Sequence, residues 1–203
     1  MENFSISELI CTRISHDLIS NIGAFANAME LLEDGDDDGE FAADIKSTLK
    51  LCSGILSARM KFFRMAFGLQ SSNLENFDLV QSVTADYLKT LSVGHPVALE
   101  CKIADAGDFN RIVMLAAMAA ADTIIRGGKI QIGSDSKYLK ISAVSPSRLA
   151  AGKIAALKEV LQGKIPENPS AWAPFLYMKN LLQAMDRRLD LTDSDTEFTI
   201  LIS

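Results

Sequence analysis

The stretch Ser7 to Glu33 reads SELICTRISHDLISNIGAFANAMELLE, and its periodicity decides how the chain begins. Leu18, Ile22, Phe25, Met29 and Leu32 recur at spacings of four, three, four and three. At about 100° per residue these side chains fall on one stripe, so the spacing predicts an α-helix. Ser7 can cap its start, and Asp34-Gly35 ends the run in an acidic turn. A second helical stretch, Glu40 to Gly68, carries Ile45, Leu49, Cys52, Leu56, Met60, Phe63 and Phe67 on one stripe. Leu51, Ile55 and Phe62 widen that face. Two long helices joined by a short acidic loop make an antiparallel hairpin. A lone hairpin cannot cover so wide an apolar face. Self-association about a two-fold axis, into a four-helix bundle, is the expected solution, so the sequence predicts a homodimer. Burial beneath the C-terminal half is the alternative.

After Gly68 the character changes. Gln70 to Asn76 is a polar linker, Asp78 to Leu91 reads as a helix, and Val97 to Ile103 alternates like a strand. Asp108 to Arg126 is an Ala- and Met-rich helix stopped by Gly127-Gly128. Lys129 to Gly133 and Tyr138 to Val144 read as strands, Pro146 to Gly163 and Ala171 to Asp186 as helices, and Arg188 to Leu191 with Glu197 to Ile202 as a closing hairpin. This order predicts an α+β fold, with a mostly antiparallel sheet covered by helices on one face. Two units are expected, residues 1–70 and residues 76–203.

The 203 residues carry 20 basic and 26 acidic side chains, a formal net charge of -6. That balance argues against a nucleic-acid partner, whose phosphates demand clustered Lys and Arg. Cys11, Cys52 and Cys101 are isolated and the chain has only two histidines, so neither a zinc cluster nor a disulfide framework is expected. The start lacks the basic and then apolar run of a signal peptide, and the longest apolar run, Ile112 to Ala121, is too short to span a bilayer. No membrane association and a cytoplasmic location are the expectations.

With Leu18 at the centre of the first stripe, His16 lies about 160° away, nearly opposite the core. Arg13, Ser20, Gly23 and Asn27 fall on the same outward face. It therefore carries a titratable nucleophile, a cation one turn before it, and small or short polar residues after it. A solvated imidazole is a competent nucleophile at neutral pH. Asp17 can hold one ring nitrogen and fix which one attacks. Arg13 could steady a transferring phosphoryl group, and Ser20, Gly23 and Asn27 leave room for another protein to dock.

Ile14-Ser15-His16-Asp17-Leu18-Ile19-Ser20-Asn21 resembles the phosphoacceptor box of histidine-kinase dimerisation helices, where His is followed by an acidic residue. More narrowly, His16-Asp17-Leu18, Glu30-Leu31-Leu32-Glu33-Asp34, Arg64-Met65-Ala66-Phe67-Gly68 and Glu75-Asn76-Phe77 resemble the ChpT-type histidine phosphotransferases. That resemblance implies a dimeric four-helix bundle followed by a degenerate Bergerat sandwich, the ATPase-like fold of kinases. It implies that His16 takes a phosphoryl group from the receiver-domain Asp of a hybrid histidine kinase. The group then passes to the receiver Asp of response regulators. Asp17 and Ser20 match the helper positions, and Mg²⁺ is supplied by the partner receiver. A non-catalytic dimeric adaptor of a two-component system is the alternative.

ATP is not expected as a cofactor. A kinase of this architecture needs an Asn on the helix at Asp108 to Arg126 to help hold Mg²⁺, yet Ile112 to Ala121 is apolar throughout. Asn110 comes a turn too early. Ser145-Pro146-Ser147 stands where an Asp-x-Gly would recognise adenine, and no Gly-x-Gly follows to cradle phosphates. Asp34-x-Asp36-x-Asp38-Gly39 begins like a calcium loop, but its twelfth position is Ile45 rather than Glu, so no metal is expected. His95-Pro96 reads as a turn, Trp172 as a packing anchor, and Arg187-Arg188 is too short for a nucleic-acid patch.

Overall fold

In the computed structural model the described residues are 5–34, 39–69, 72–92 and 94–203. The loop carrying Gly35 to Asp38, where the calcium-like spacing falls, and Gln70 and Ser71 of the linker lie outside them. Two α-helices of 29 residues each, α1 (Ile6–Asp34) and α2 (Gly39–Phe67), pack side by side as the hairpin. Helix α1 starts on Ser5 rather than Ser7. Ser5 Oγ accepts from the Glu8 N–H (3.2 Å) while Glu8 Oε2 accepts from the Ser5 N–H (2.8 Å), a reciprocal cap.

The inner seam of α1 runs through Leu9, Ile14, Leu18, Phe25, Ala28 and Leu32. Ile22 and Met29, placed on that stripe by periodicity, sit at its edge and stay 52% and 37% exposed. Ile19, Leu31, Phe41, Leu51 and Met60 are exposed beside them. An apolar strip therefore runs along the outside of the hairpin, because each helix carries more apolar width than its neighbour can cover.

The root of α2 is different. Phe62, Phe63, Met65 and Ala66 are buried in the main core. Phe62 stacks on Tyr87 of α3 (Phe77–Lys89), with ring centroids 4.0 Å apart and planes inclined by 16°. Helix α3 is capped by Asn76, whose Oδ1 accepts from the Leu79 N–H at 3.1 Å.

Beyond α3 the chain forms β1 (Val97–Cys101), α4 (Asn110–Ala121), β2 (Gly128–Ser134), β3 (Leu139–Val144), α5 (Ala151–Leu161), α6 (Ala173–Ala184), β4 (Leu189–Asp193) and β5 (Glu197–Ile202). The strands make one sheet in the order β1-β2-β3-β5-β4. Only β1 and β2 run parallel; the other pairs are antiparallel. Alternation sets the faces. Ile130, Ile132, Ile141, Ala143, Phe198 and Ile200 are buried toward the helices, while Lys129 and Gln131 hold Glu100 on the opposite face. Gly127-Gly128 is needed at the turn into β2. Gly128 has φ +153°, and a Cβ there would lie 2.4 Å from the Val144 carbonyl oxygen.

Helix α4 is enclosed on all sides, every residue from Ile112 to Ala121 being at most 4% exposed. Its alanines let α6 and the sheet approach closely. It is shorter than the helix expected over Asp108 to Arg126. Gly107 to Phe109 forms a 3-10 turn before it, and Thr123 folds back onto Ala120 after it. Likewise α5 begins at Ala151, not Pro146. The N–H groups of Leu149 and Ala150 are committed to the carbonyls of Asp195 and Thr123, which holds that segment out of the helix. Among the described residues no helix is long and apolar enough to cross a membrane.

Candidate functional site

His16 lies on α1 with its side chain 82% exposed. Its Nδ1 is 3.3 Å from Oδ1 of Asp17. Ser20, Gly23 and Asn27 continue the outward face and are exposed, and a Cβ at Gly23 would meet nothing within 4 Å. The face that periodicity turned away from the hairpin is therefore open to water at these four positions.

Arg13 departs from that expectation. Its side chain is only 11% exposed. Nε donates to Asp17 Oδ2 (2.8 Å), Nη1 to Asp122 Oδ2 (2.9 Å) and to the Ala171 carbonyl (2.7 Å), and Nη2 to Asp122 Oδ1 (3.0 Å). Placing Arg13 beside His16 on a free docking face is thus corrected: the guanidinium is sunk between α1 and the C-terminal half. The helical wheel gave its angle correctly but could not see that the sheet-bearing half covers this side of α1. Burial weakens a charged guanidinium, but Asp122 and Asp17 outweigh that and hold Arg13 protonated above its ordinary range. Tyr87, fully buried beneath these groups, is pushed up by burial and by Asp122, so its phenol stays protonated.

Asp17 is held from the other side as well. Arg59 of α2 donates Nη1 to the Asp17 carbonyl, and bonds Thr90 through its hydroxyl (3.1 Å) and its carbonyl (3.0 Å). The backbone of α1 beneath His16 is thereby tied to α2 and to the end of α3.

Between α1 and the C-terminal half lies an open cleft of about 330 Å³ lined by Arg13, His16, Asp17, Asp122, Lys153, Asn168, Ser170, Ala171 and Trp172. Lys153 is exposed on its wall and forms no ion pair among the described residues. Trp172 is half-buried, packing on the core and facing the cleft, which joins the anchor role read from sequence to a surface one. Sequence reasoning did not reach Arg59, Asp122 or Lys153. Asp122 left one trace, as the first polar residue after the unbroken run from Ile112 to Ala121. His95 lies exposed on a turn away from this cleft. Among the described residues no three His, Cys, Asp or Glu side chains are grouped to hold a metal.

Residues 98–197 match the family model for the histidine phosphotransferase C-terminal domain. The protein phosphotransferase ChpT of Brucella abortus (strain 2308) is 40% identical over 86 residues, which is 41% of this chain and 39% of that protein. The match therefore spans about two fifths of the curated relative. A solved bacterial phosphotransferase superposes over 100% of this chain and 98% of its own, with a TM-score of 0.76 at 23% identity. A histidine kinase from Burkholderia phymatum STM815 aligns over 93% of this chain and 95% of its own, at a TM-score of 0.41 and 13% identity. A helical hairpin backed by a helix-covered α+β sheet, the fold shared with the solved bacterial phosphotransferase, is the class that the structure and this match define. Within that fold, residues 98–197 match the histidine phosphotransferase C-terminal domain, and an 86-residue stretch is similar to the phosphotransferase ChpT of Brucella abortus.

Proposed function

We propose that the chain is a phosphorelay intermediate. His16 takes a phosphoryl group from the receiver-domain Asp of a hybrid histidine kinase and delivers it to the receiver Asp of response regulators. The observation that carries this reading is the exposed His16 imidazole, held through Nδ1 by Asp17 beside an open cleft. Asp17 accepts the Nδ1–H bond, so the lone pair lies on Nε2, which faces the visitor. Nε2 attacks phosphorus, the N–P bond forms, and the bond from phosphorus to the receiver carboxylate oxygen breaks with its electrons left on that carboxylate. The ring becomes cationic with its proton still on Nδ1, where Asp17 stabilises it. Transfer to the second receiver runs the same step backwards.

Positioning and charge neutralisation dominate such a transfer. The receiver brings its own Mg²⁺. Arg13 adds little to that neutralisation, because four of its five N–H donors are committed to Asp122, Asp17 and Ala171. Lys153, exposed on the cleft wall, takes the role that sequence reasoning gave to Arg13. Ser20, Gly23 and Asn27 form the flat approach along the helix.

No nucleotide enters this reading. The α4 helix is apolar and closed from Ile112 to Ala121, and Asn110 at its start turns Nδ2 to the Leu74 carbonyl at 2.8 Å while its buried Oδ1 has no partner among the described residues. Ser145 Oγ is turned to the Gly127 carbonyl at 3.0 Å. Saturating Mg-ATP alone is expected to leave the chain unlabelled, whereas a phosphorylated receiver domain labels it within the same time. The reverse pattern on an autoradiograph would make it a kinase and end the proposal.

The reading includes a homodimer built on the exposed strip of Ile19, Ile22, Met29, Leu51 and Met60. Substituting Ile22→Asp is expected to convert a dimer to a monomer in sedimentation equilibrium at unchanged helix content. The side chain is already half in water, so the folded monomer itself loses little. A wild-type chain that sediments as a monomer at micromolar concentration contradicts this part of the account.

A further inference from the structure

We propose that Asp122, at the end of α4, is a positioning residue for His16: acting through Arg13 and Asp17, it selects the ring nitrogen that attacks. This rests on the relay reading of His16 and adds to it a residue 109 positions beyond Arg13 in the chain.

The geometry is a continuous line of bonds. Asp122 grips the guanidinium with both carboxylate oxygens, at 2.9 and 3.0 Å, and the Ala171 carbonyl takes a further N–H at 2.7 Å. A fork held at this many points has little freedom left. Its remaining Nε–H then fixes Oδ2 of Asp17 at 2.8 Å, which leaves Oδ1 turned to Nδ1 of His16 at 3.3 Å. A carboxylate free to rotate would offer either oxygen to water, and the exposed imidazole would revert to the Nε2–H tautomer that free histidine side chains prefer. That tautomer has its lone pair on the wrong nitrogen.

Charge points the same way. One cation lies between two carboxylates, so the group carries a net negative charge at the end facing His16. All three of its side chains are less than one-fifth exposed, where screening by water is weak. Without Asp122 the guanidinium would be neutralised by Asp17 alone, and the acceptor strength of Oδ1 toward the ring would fall. Asp122 thus leaves Asp17 available to the phosphoimidazole. Arg13, Asp17, Asp122 and Lys153 are the charged groups that line the cleft with the ring.

The test uses the full chain labelled with ¹⁵N-histidine, at a pH where the ring is neutral. Two-bond ¹H–¹⁵N correlation spectra report the tautomer of His16, with His95 as the internal reference. Wild type is expected to show Nδ1–H. Asp122→Asn is expected to shift His16 toward Nε2–H and to slow label transfer from a phosphorylated receiver on the order of tenfold. Asp122→Glu, which keeps the charge, is expected to recover much of both. If Asp122→Asn does not fold, the double variant R13Q/D122N replaces the ion pair by two neutral amides and is expected to show the same shift. An unchanged His16 tautomer in a folded variant, even with a lowered melting temperature, would make Asp122 a clamp between the two halves and overturn the proposal. A shifted tautomer in a chain whose wild type takes no phosphate would uphold the positioning role while ending the relay reading.

Discussion

His16→Ala is expected to abolish label uptake from a phosphorylated receiver while leaving the fold intact. The two halves of that expectation come from one number. A side chain 82% exposed contributes little to packing, so its removal shifts stability by no more than about 0.5 kcal/mol. On the relay reading the same exposure lets it act as the nucleophile, with no neighbour to replace it. Ser20 lies one turn away, and among the described residues no side chain hydrogen-bonds it as a base. Cys11 is exposed but more than a turn back along α1. The loss is therefore of the whole activity rather than a fraction of it. Circular dichroism and a receiver-to-chain transfer assay on the same preparation check both halves. A folded variant that still takes label at the wild-type rate would leave only the adaptor reading.

Phe62→Ala is expected to carry the largest stability loss of any single truncation near the site, about 3–5 kcal/mol. Phe62 is fully buried on α2, stacked on Tyr87 of α3 and edge-on to Phe63 at 6.1 Å. It is the point where the hairpin is rooted in the sheet-bearing half. Removing it leaves a cavity against a ring that cannot move far, since Tyr87 is itself 1% exposed. A guanidinium chloride titration at fixed protein concentration should show a lower midpoint with a similar slope. Ile165→Ala, at a position 63% exposed, should move the midpoint very little and serves as the control. Equal shifts in the two variants would mean that the hairpin is not anchored through this stack.

Much of this architecture was legible because it rests on local periodicity. The two long helices, the five strands and their antiparallel closing hairpin follow from spacings of 3.6 and 2. The outward placement of His16, Ser20, Gly23 and Asn27 follows from one helical wheel. What periodicity could not supply were contacts between halves of the chain. Arg13 has the angle the wheel gives it, yet it is covered by residues more than a hundred positions away. Arg59 sits at the edge of an apolar stripe, and nothing local marks it as the residue that ties α1 to Thr90. Element ends failed for a related reason. Pro146 to Ala150 falls in the expected helix, but the N–H groups of Leu149 and Ala150 are taken by the Asp195 and Thr123 carbonyls, and at Ser5 a reciprocal bond with Glu8 outcompetes the cap expected at Ser7.

The most direct measurement is the position and chemistry of the phosphate itself. After incubation with a phosphorylated receiver, the chain should carry one phosphate that is lost in acid and retained in base, and fragmentation by electron transfer should place it on His16. A phosphate on any other residue, one stable to acid, or none at all would contradict a relay through this imidazole.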